Sequence, residues 1–261
     1  MTARATRYRG VLAYDGTDYY GFQRQAGNTP TIQGAVEAAL QQITGQPITV
    51  VGAGRTDSGV HATGQVIAFD VAWRHTPADL WRAINATLPG SIALQTCESA
   101  PADFHPRFDA RSRAYEYTLY VALVRQPLLN RQTWHVPFKN PLDVTAMQQA
   151  SGLLRGTHDF ASFGQPPQGD NTVREVLRSE ITVLAMSGGQ KLRYTIEANA
   201  FLYRMVRRII GTLTQVGAGK LSIAEFEAAF HAADNTRGSQ TAPPHGLCLT
   251  EVTFNERGDA R

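Results

Sequence analysis

Apolar residues along the chain alternate with polar ones in some stretches and recur every three or four positions in others. Arg7 to Tyr14 alternates and ends in Asp15-Gly16-Thr17, which predicts a strand running into a turn. Thr29-Pro30 predicts a capping residue followed by proline at the first helical position. Ile32, Ala35, Val36, Ala39, Leu40 and Ile43 then recur on one helical face, and Gly45 and Pro47 end it. Ile48 to Ala53 and Gln65 to Val71 read as strands. Thr76-Pro77-Ala78-Asp79 predicts a capping-box start for a helix carrying Leu80, Ile84 and Leu88, stopped by Pro89-Gly90. Ile92 to Cys97 reads as a further strand. The order is β-α-β-β-α-β, the split βαβ or ferredoxin-like pattern. It predicts an antiparallel sheet with both helices on one face and the other face open.

Pro101 to Phe108 holds two prolines and no periodicity, so the domain boundary is placed there, with modules at 1–105 and 106–261. Arg113 to Val121 predicts a long strand with Tyr115 and Tyr117 on the same face. Arg125 to Asn140 reads as irregular, Pro141 to Arg155 as a helix, and His158 to Asn171 as a loop. Two strands follow, Arg174 to Met186 and Lys191 to Ala198, joined by the hairpin signal Gly188-Gly189. Leu202 to Val216 and Ser222 to Ala233 read as helices, Asn235 to Pro244 as a polar loop, and Leu247 to Phe254 as the last strand. With one extra helix, this half repeats the order of the first. The fold class expected is α+β, two ferredoxin-like modules with antiparallel sheets and a cleft between them.

Composition narrows the classes. At 261 residues, 43% apolar and 18% charged, the chain is long and apolar enough to bury a core, which argues against disorder. A net charge of +3 permits a nucleic-acid partner without demanding one. Of 25 basic residues only Lys139, Lys191 and Lys220 are lysine. Arginine suits phosphate forks and base stacking, although coding bias gives the same ratio. Cys97 and Cys248 stand alone, which fits a reducing compartment. Met1 to Arg9 is polar and basic with no apolar core after it, and no 18-residue apolar run occurs. A cytoplasmic chain with no membrane span is expected.

The stretch richest in chemistry is Gly52-Ala-Gly54-Arg55-Thr56-Asp57-Ser58-Gly59-Val60-His61, a glycine-bounded bend between two strands. A carboxylate there can act as nucleophile or general base without metal or cofactor. When buried it needs a cationic partner to stay ionised, with Arg55 near in sequence and Arg207 the distant alternative. A solvated ion pair on a surface turn is the plain alternative. Arg204, Arg207 and Arg208 cluster opposite an apolar arc of Leu202, Met205, Val206, Ile209, Leu213 and Val216, which reads as a solvated basic face or a phosphate-facing strip. Tyr115 and Tyr117, interleaved with Arg111 and Arg113, fit base stacking or half-buried strand packing. His61 reads as a structural histidine bonding the loop more readily than as a catalytic one. No phosphate loop, nucleophile elbow or metal-ligand spacing is found, and a strand rather than a helix follows Gly52-Ala-Gly54.

Gly54-Arg-Thr-Asp-Ser-Gly-Val-His-Ala62 closely resembles the catalytic motif of tRNA pseudouridine synthases of the TruA type, with Ser58 where alanine is usual. Further matches run in family order. They are Tyr14-Asp-Gly-Thr17 with Gly21-Phe-Gln-Arg-Gln25 (Phe22 for the usual Trp), Phe104-His-Pro-Arg-Phe108, Arg113-Ala-Tyr115-Glu-Tyr117, His158-Asp-Phe160, Met205-Val-Arg207, and Ala242-Pro243 with Gly246-Leu247. The resemblance implies that Asp57 is the catalytic carboxylate, that Arg207 pairs with it, and that Tyr115 contacts the target base and acts as a later proton acceptor. It also implies that Leu247 lines the base pocket, while Arg55, Arg204 and Arg208 are candidate substrate contacts.

The same resemblance implies isomerisation of uridine to pseudouridine in the anticodon stem-loop of tRNA, at positions 38, 39 and 40, with no cofactor. The partners it implies are tRNA and a second copy of the chain in a homodimer. Two other classes stand beside this: a non-catalytic RNA-binding protein of two recognition-like modules, and an aspartate-dependent enzyme on a nucleoside or sugar phosphate. The first would bind RNA without product. The second would show no salt-dependent RNA affinity.

Overall fold

The computed structural model describes residues 5–137, 140–166, 169–234 and 240–255. The chain divides into two compact units, Met1–Arg111 with Leu249–Arg261, and Ser112–Cys248. The division read from sequence lay at 105/106 and kept the last strand with the second half.

The first unit runs β1 (Thr6–Tyr14), α1 (Ile32–Thr44), β2 (Val50–Gly52), β3 (His61–Val71), α2 (Pro77–Thr87) and β4 (Ile92–Ser99). Its strands lie in the order β4-β1-β3-β2, each pair antiparallel, which is the split βαβ arrangement. Tyr8 opposite Phe69, Gly10 opposite Ile67 and Leu12 opposite Gln65 share a face by the two-residue period of the pleat. Tyr8 stacks on Phe69 with ring centres 5.9 Å apart. Ile32, Val36, Leu40, Leu80 and Ile84 from the helices are fully buried.

Helix α1 is capped by Thr31, whose hydroxyl accepts from the Gly34 N–H, and not by Thr29. The reason is that the Pro30 carbonyl is occupied by the Tyr20 N–H, which holds Pro30 outside the helix. Thr76 and Asp79 form the reciprocal capping box read from sequence. The opposite sheet face is not open as expected. The segment around Phe104 lies over it: Arg7 donates to the Phe104 carbonyl at 2.9 Å, and the Arg9 guanidinium sits 5.5 Å from the Phe104 ring centre and 4.6 Å from that of Phe254.

The second unit contains β5 (Ala110–Val121) from Ser112 on, β6 (Trp134–Val136), α3 (Val144–Gly152), β7 (Gly156–Asp159), β8 (Val173–Leu184), β9 (Gln190–Ala198), α4 (Met205–Gly217) and α5 (Ile223–His231). Its strand order is β5-β9-β8-β7, antiparallel throughout, with β6 added parallel to β5. Residues 125–140 are therefore not wholly irregular, and 158–171 begins inside β7. The strand β10 (Leu247–Phe254) starts in this unit and ends in the first, where it lies beside β3. Tyr117, Tyr194, Ile196 and Ile181 form the buried face of the sheet. Phe226 and Phe230 of α5 pack against Phe160 and Phe163 in an aromatic cluster. Part of the polar loop read at Asn235 to Pro244 lies outside the described residues, at 235–239.

Candidate active site

Asp57 and Arg55 belong to the first unit, on the bend between β2 and β3. The bend is a turn closed by the Val60 N–H donating to the Asp57 carbonyl at 3.1 Å. Gly59 takes φ +76° at its third position, where a side chain would be strained. The Gln65 side chain closes the base of the bend, accepting from the Gly54 N–H and donating to its carbonyl at 2.8 Å.

The segment Tyr14 to Phe22 wraps the same bend. The Tyr14 and Thr56 hydroxyls meet at 2.8 Å in a buried contact. The Phe22 N–H donates to the Thr56 carbonyl at 3.0 Å. The Tyr19 carbonyl accepts from the Gly59 N–H and the Ser58 hydroxyl, both at 3.2 Å. The Gly16 N–H donates to His61 Nδ1 at 3.1 Å. A Cβ on Gly21 would fall 2.8 Å from the Thr56 carbonyl oxygen, and one on Gly52 would strike the Phe22 ring. The two glycines are thus sites of close approach. Arg55 is exposed and Asp57 half-buried at the crest of this framework. Sequence reasoning placed Asp57 on this bend and named the segments holding Tyr14 and Thr56, but missed the contact between them. The pairing of a tyrosine with a threonine 42 residues on carries no local signal.

Tyr115, Arg204, Arg207, Arg208 and Leu247 belong to the second unit. Tyr115 is buried on β5, edge-on to Phe201 at 5.0 Å. Tyr117 is fully buried and donates to the Pro243 carbonyl at 2.9 Å. Burial pushes its hydroxyl far above the ordinary tyrosine range, and the charge of Arg207 partly opposes that shift. Arg207 is half-buried on the first turn of α4 and donates through Nε to the Ala242 carbonyl at 2.8 Å. The Ala242 N–H donates in return to the Arg207 carbonyl at 3.0 Å. These two bonds and the Tyr117 hydroxyl tie α4 and β5 to the segment that leads into buried Leu247. A Cβ on Gly246 would lie 2.6 Å from the Tyr117 ring.

The three arginines do not form one helical strip. Arg204 precedes α4, in the left-handed region at φ +60°, with its guanidinium 4.8 Å over the exposed Tyr203 ring. The helix starts only at Met205 because Tyr203 pairs with Gln165 in a β-bridge, which keeps residue 203 extended.

Among the described residues no group of three or more His, Cys, Asp or Glu is placed to hold a metal ion. No helix among them is long and apolar enough to cross a membrane. One family profile, described as tRNA pseudouridine synthase, matches residues 11–109 and 150–255. The chain is 45% identical over 249 residues to a tRNA pseudouridine synthase A of Brevibacillus brevis, covering 95% of this chain and 99% of that one. It is 42% identical over 259 residues to a protein of the same name from Neisseria meningitidis serogroup C, covering 98% and 94%. A Geobacillus relative of that name is 39% identical, covering 95% and 98%. A match of this identity over almost the whole length leaves one assignment: the chain belongs to the tRNA pseudouridine synthase family.

Proposed function

We propose that this protein isomerises uridine to pseudouridine in the anticodon stem-loop of tRNA, at positions 38, 39 and 40, with Asp57 as the reacting carboxylate. The observation that carries the reading is the framework around Asp57. A glycine turn held by bonds to Thr56, Ser58, Gly59 and His61 presents one carboxylate at its crest. Such fixed presentation is what a positioned nucleophile or base requires.

The reaction breaks the N1–C1′ bond of the target uridine and forms a C5–C1′ bond. The C5 proton is lost and N1 gains one, so nothing is oxidised or hydrolysed and no cofactor is called for. The base must first leave its stack, at a cost of a few kcal/mol. Contacts from exposed Arg55 and Arg204, and from Arg208, to the RNA backbone offset that cost. In this reading Arg207 supplies the positive charge that keeps Asp57 ionised, while Tyr115 and Leu247 hold the base. The first module then carries the aspartate loop and the second carries the tyrosine strand and the arginine helix. Asp57 either attacks C1′ or removes a sugar proton to give a glycal. The chain acts as a homodimer in the cytoplasm.

Release of tritium from tRNA labelled at uracil C5 tests the proposal, with wild type and Asp57→Asn run side by side. Release by wild type alone supports it. Equal release by both proteins overturns the role of Asp57, and RNA binding without release by either overturns the activity.

A further inference from the structure

We propose that His61 is a positioning residue for the reaction: its Nδ1 accepts the Gly16 N–H and so fixes the geometry of the Asp57 turn. The inference rests on the reading of Asp57 as the reacting carboxylate. It assigns to this chain's own histidine a role that the reaction chemistry does not require.

Four observations carry it. His61 is buried, and it is the first residue of β3, one step beyond the turn that ends at Val60. Its Nδ1 takes the Gly16 N–H at 3.1 Å in a buried bond spanning 45 residues. Gly16 is pressed onto the other side of the same turn, so that any Cβ there would strike the Val60 carbonyl oxygen. Finally, the Tyr14, Tyr19 and Phe22 contacts grip Thr56, Ser58 and Gly59 from the same segment. The bond at Nδ1 is thus the latch at the β3 end of a mould that surrounds Asp57.

The geometry also bears on the role of Nδ1. Asp15 Oδ1 lies 3.2 Å from the same nitrogen, a distance that would suit an ion pair with a protonated ring. That oxygen already accepts from the Thr17 N–H at 3.0 Å and the Thr17 hydroxyl at 2.5 Å. The Gly16 hydrogen points at Nδ1, and two hydrogens cannot share that line. Toward Gly16, Nδ1 therefore serves as the acceptor. A displaced turn would carry Asp57 off its reacting position while the RNA contacts proposed for Arg204 and Arg208, on the other unit, stay in place.

Three variants test this against wild type and Asp57→Asn, with circular dichroism and thermal melting run alongside. His61→Asn places an amide oxygen near the position of Nδ1 and keeps the acceptor. His61→Gln places it one bond further out, and His61→Leu removes it. Since a misplacement of about 1 Å can cost about 100-fold, His61→Leu and His61→Gln are expected to lose about 10- to 100-fold in kcat with KM within about twofold. His61→Asn is expected to stay within about threefold of wild type. Wild-type kcat in a folded His61→Leu overturns the proposal, as does a rise in KM with kcat unchanged. An Asn variant as slow as the Gln variant also overturns it, and this comparison decides if His61→Leu does not fold. Turnover by Asp57→Asn would instead remove the reading of the carboxylate on which the inference stands.

Discussion

Tyr117 shows how much one hydroxyl does in the second unit. Its ring fills the buried face of β5, and its only polar atom reaches the Pro243 carbonyl beside Arg207. In Tyr117→Phe the ring stays and the carbonyl loses that donor. An unsatisfied buried acceptor costs about 1–3 kcal/mol, so the melting temperature should fall by several degrees. Activity should fall further if this segment positions Leu247. A Phe variant with unchanged melting and turnover would show that the Pro243 contact is incidental.

The Arg7–Asp70 fork makes a pH prediction at the same scale. Arg7 donates to both carboxylate oxygens, at 2.9 and 2.6 Å, and these bonds hold the Asp70 carboxyl below its usual range. A folded-state value below the unfolded one adds stability that is present above about pH 4 and is lost as pH falls through the depressed value. The pair is substantially exposed, so the contribution is under about 1 kcal/mol. In urea unfolding, Asp70→Asn should lower stability near neutral pH and converge on wild type in acid. Curves separated by the same gap at every pH would contradict this account.

Among the elements, α1, α2 and the strands of the first unit were legible because their signals are local. A capping box, a proline at the first turn and a two-residue alternation all act within a few residues. Helix α4 was legible as a helix but not in its setting. Its sequence reads as an apolar arc with arginines clustered opposite, yet it is buried nearly all round. Thr212 and Thr214 make this possible by donating to the carbonyls of Arg208 and Ile210, one turn back, at 2.8 and 2.7 Å. Gly211 and Gly217 let neighbours approach: a Cβ on Gly211 would strike the Gln240 carbonyl oxygen, and one on Gly217 would lie 2.5 Å from the Met147 sulfur.

Strand β6 was missed for a related reason. Three residues ahead of Pro137 carry no period, and only their pairing with β5 makes them a strand. The bend that carries Asp57 was legible from its glycines, while the contacts of Tyr14, Gly16 and Gly21 with it were not, since the two segments lie about 40 residues apart in the chain. The close approach at Gly211 gives a test. Gly211→Ala must push the segment after Gln240 away from α4, which threatens both bonds between Arg207 and Ala242. We expect a destabilised protein with kcat reduced at least about tenfold, since overpacking costs about 1–3 kcal/mol. A Gly211→Ala protein that melts and turns over like wild type would mean that the segment yields freely.

At the scale of the molecule the question is how a chain with a net charge of only +3 holds a polyanion. Binding to phosphates releases counterions, so affinity for tRNA should fall linearly with the logarithm of salt concentration. Arg204→Ala, at an exposed position, should make that slope shallower by about one phosphate contact while leaving melting unchanged. The homodimer proposed above would be compatible with so modest a charge, because two chains would present twice the basic surface to one RNA. If the active form is a pair, sedimentation at micromolar concentration should give twice the chain mass. Dilution below the dissociation range should then weaken tRNA binding and specific activity together, with no change in circular dichroism. A chain that sediments as a monomer and keeps its salt slope and specific activity on dilution would place all the RNA contacts on one copy. The phosphate contacts counted from the slope would then have to come from Arg55, Arg204, Arg208 and their neighbours in a single chain.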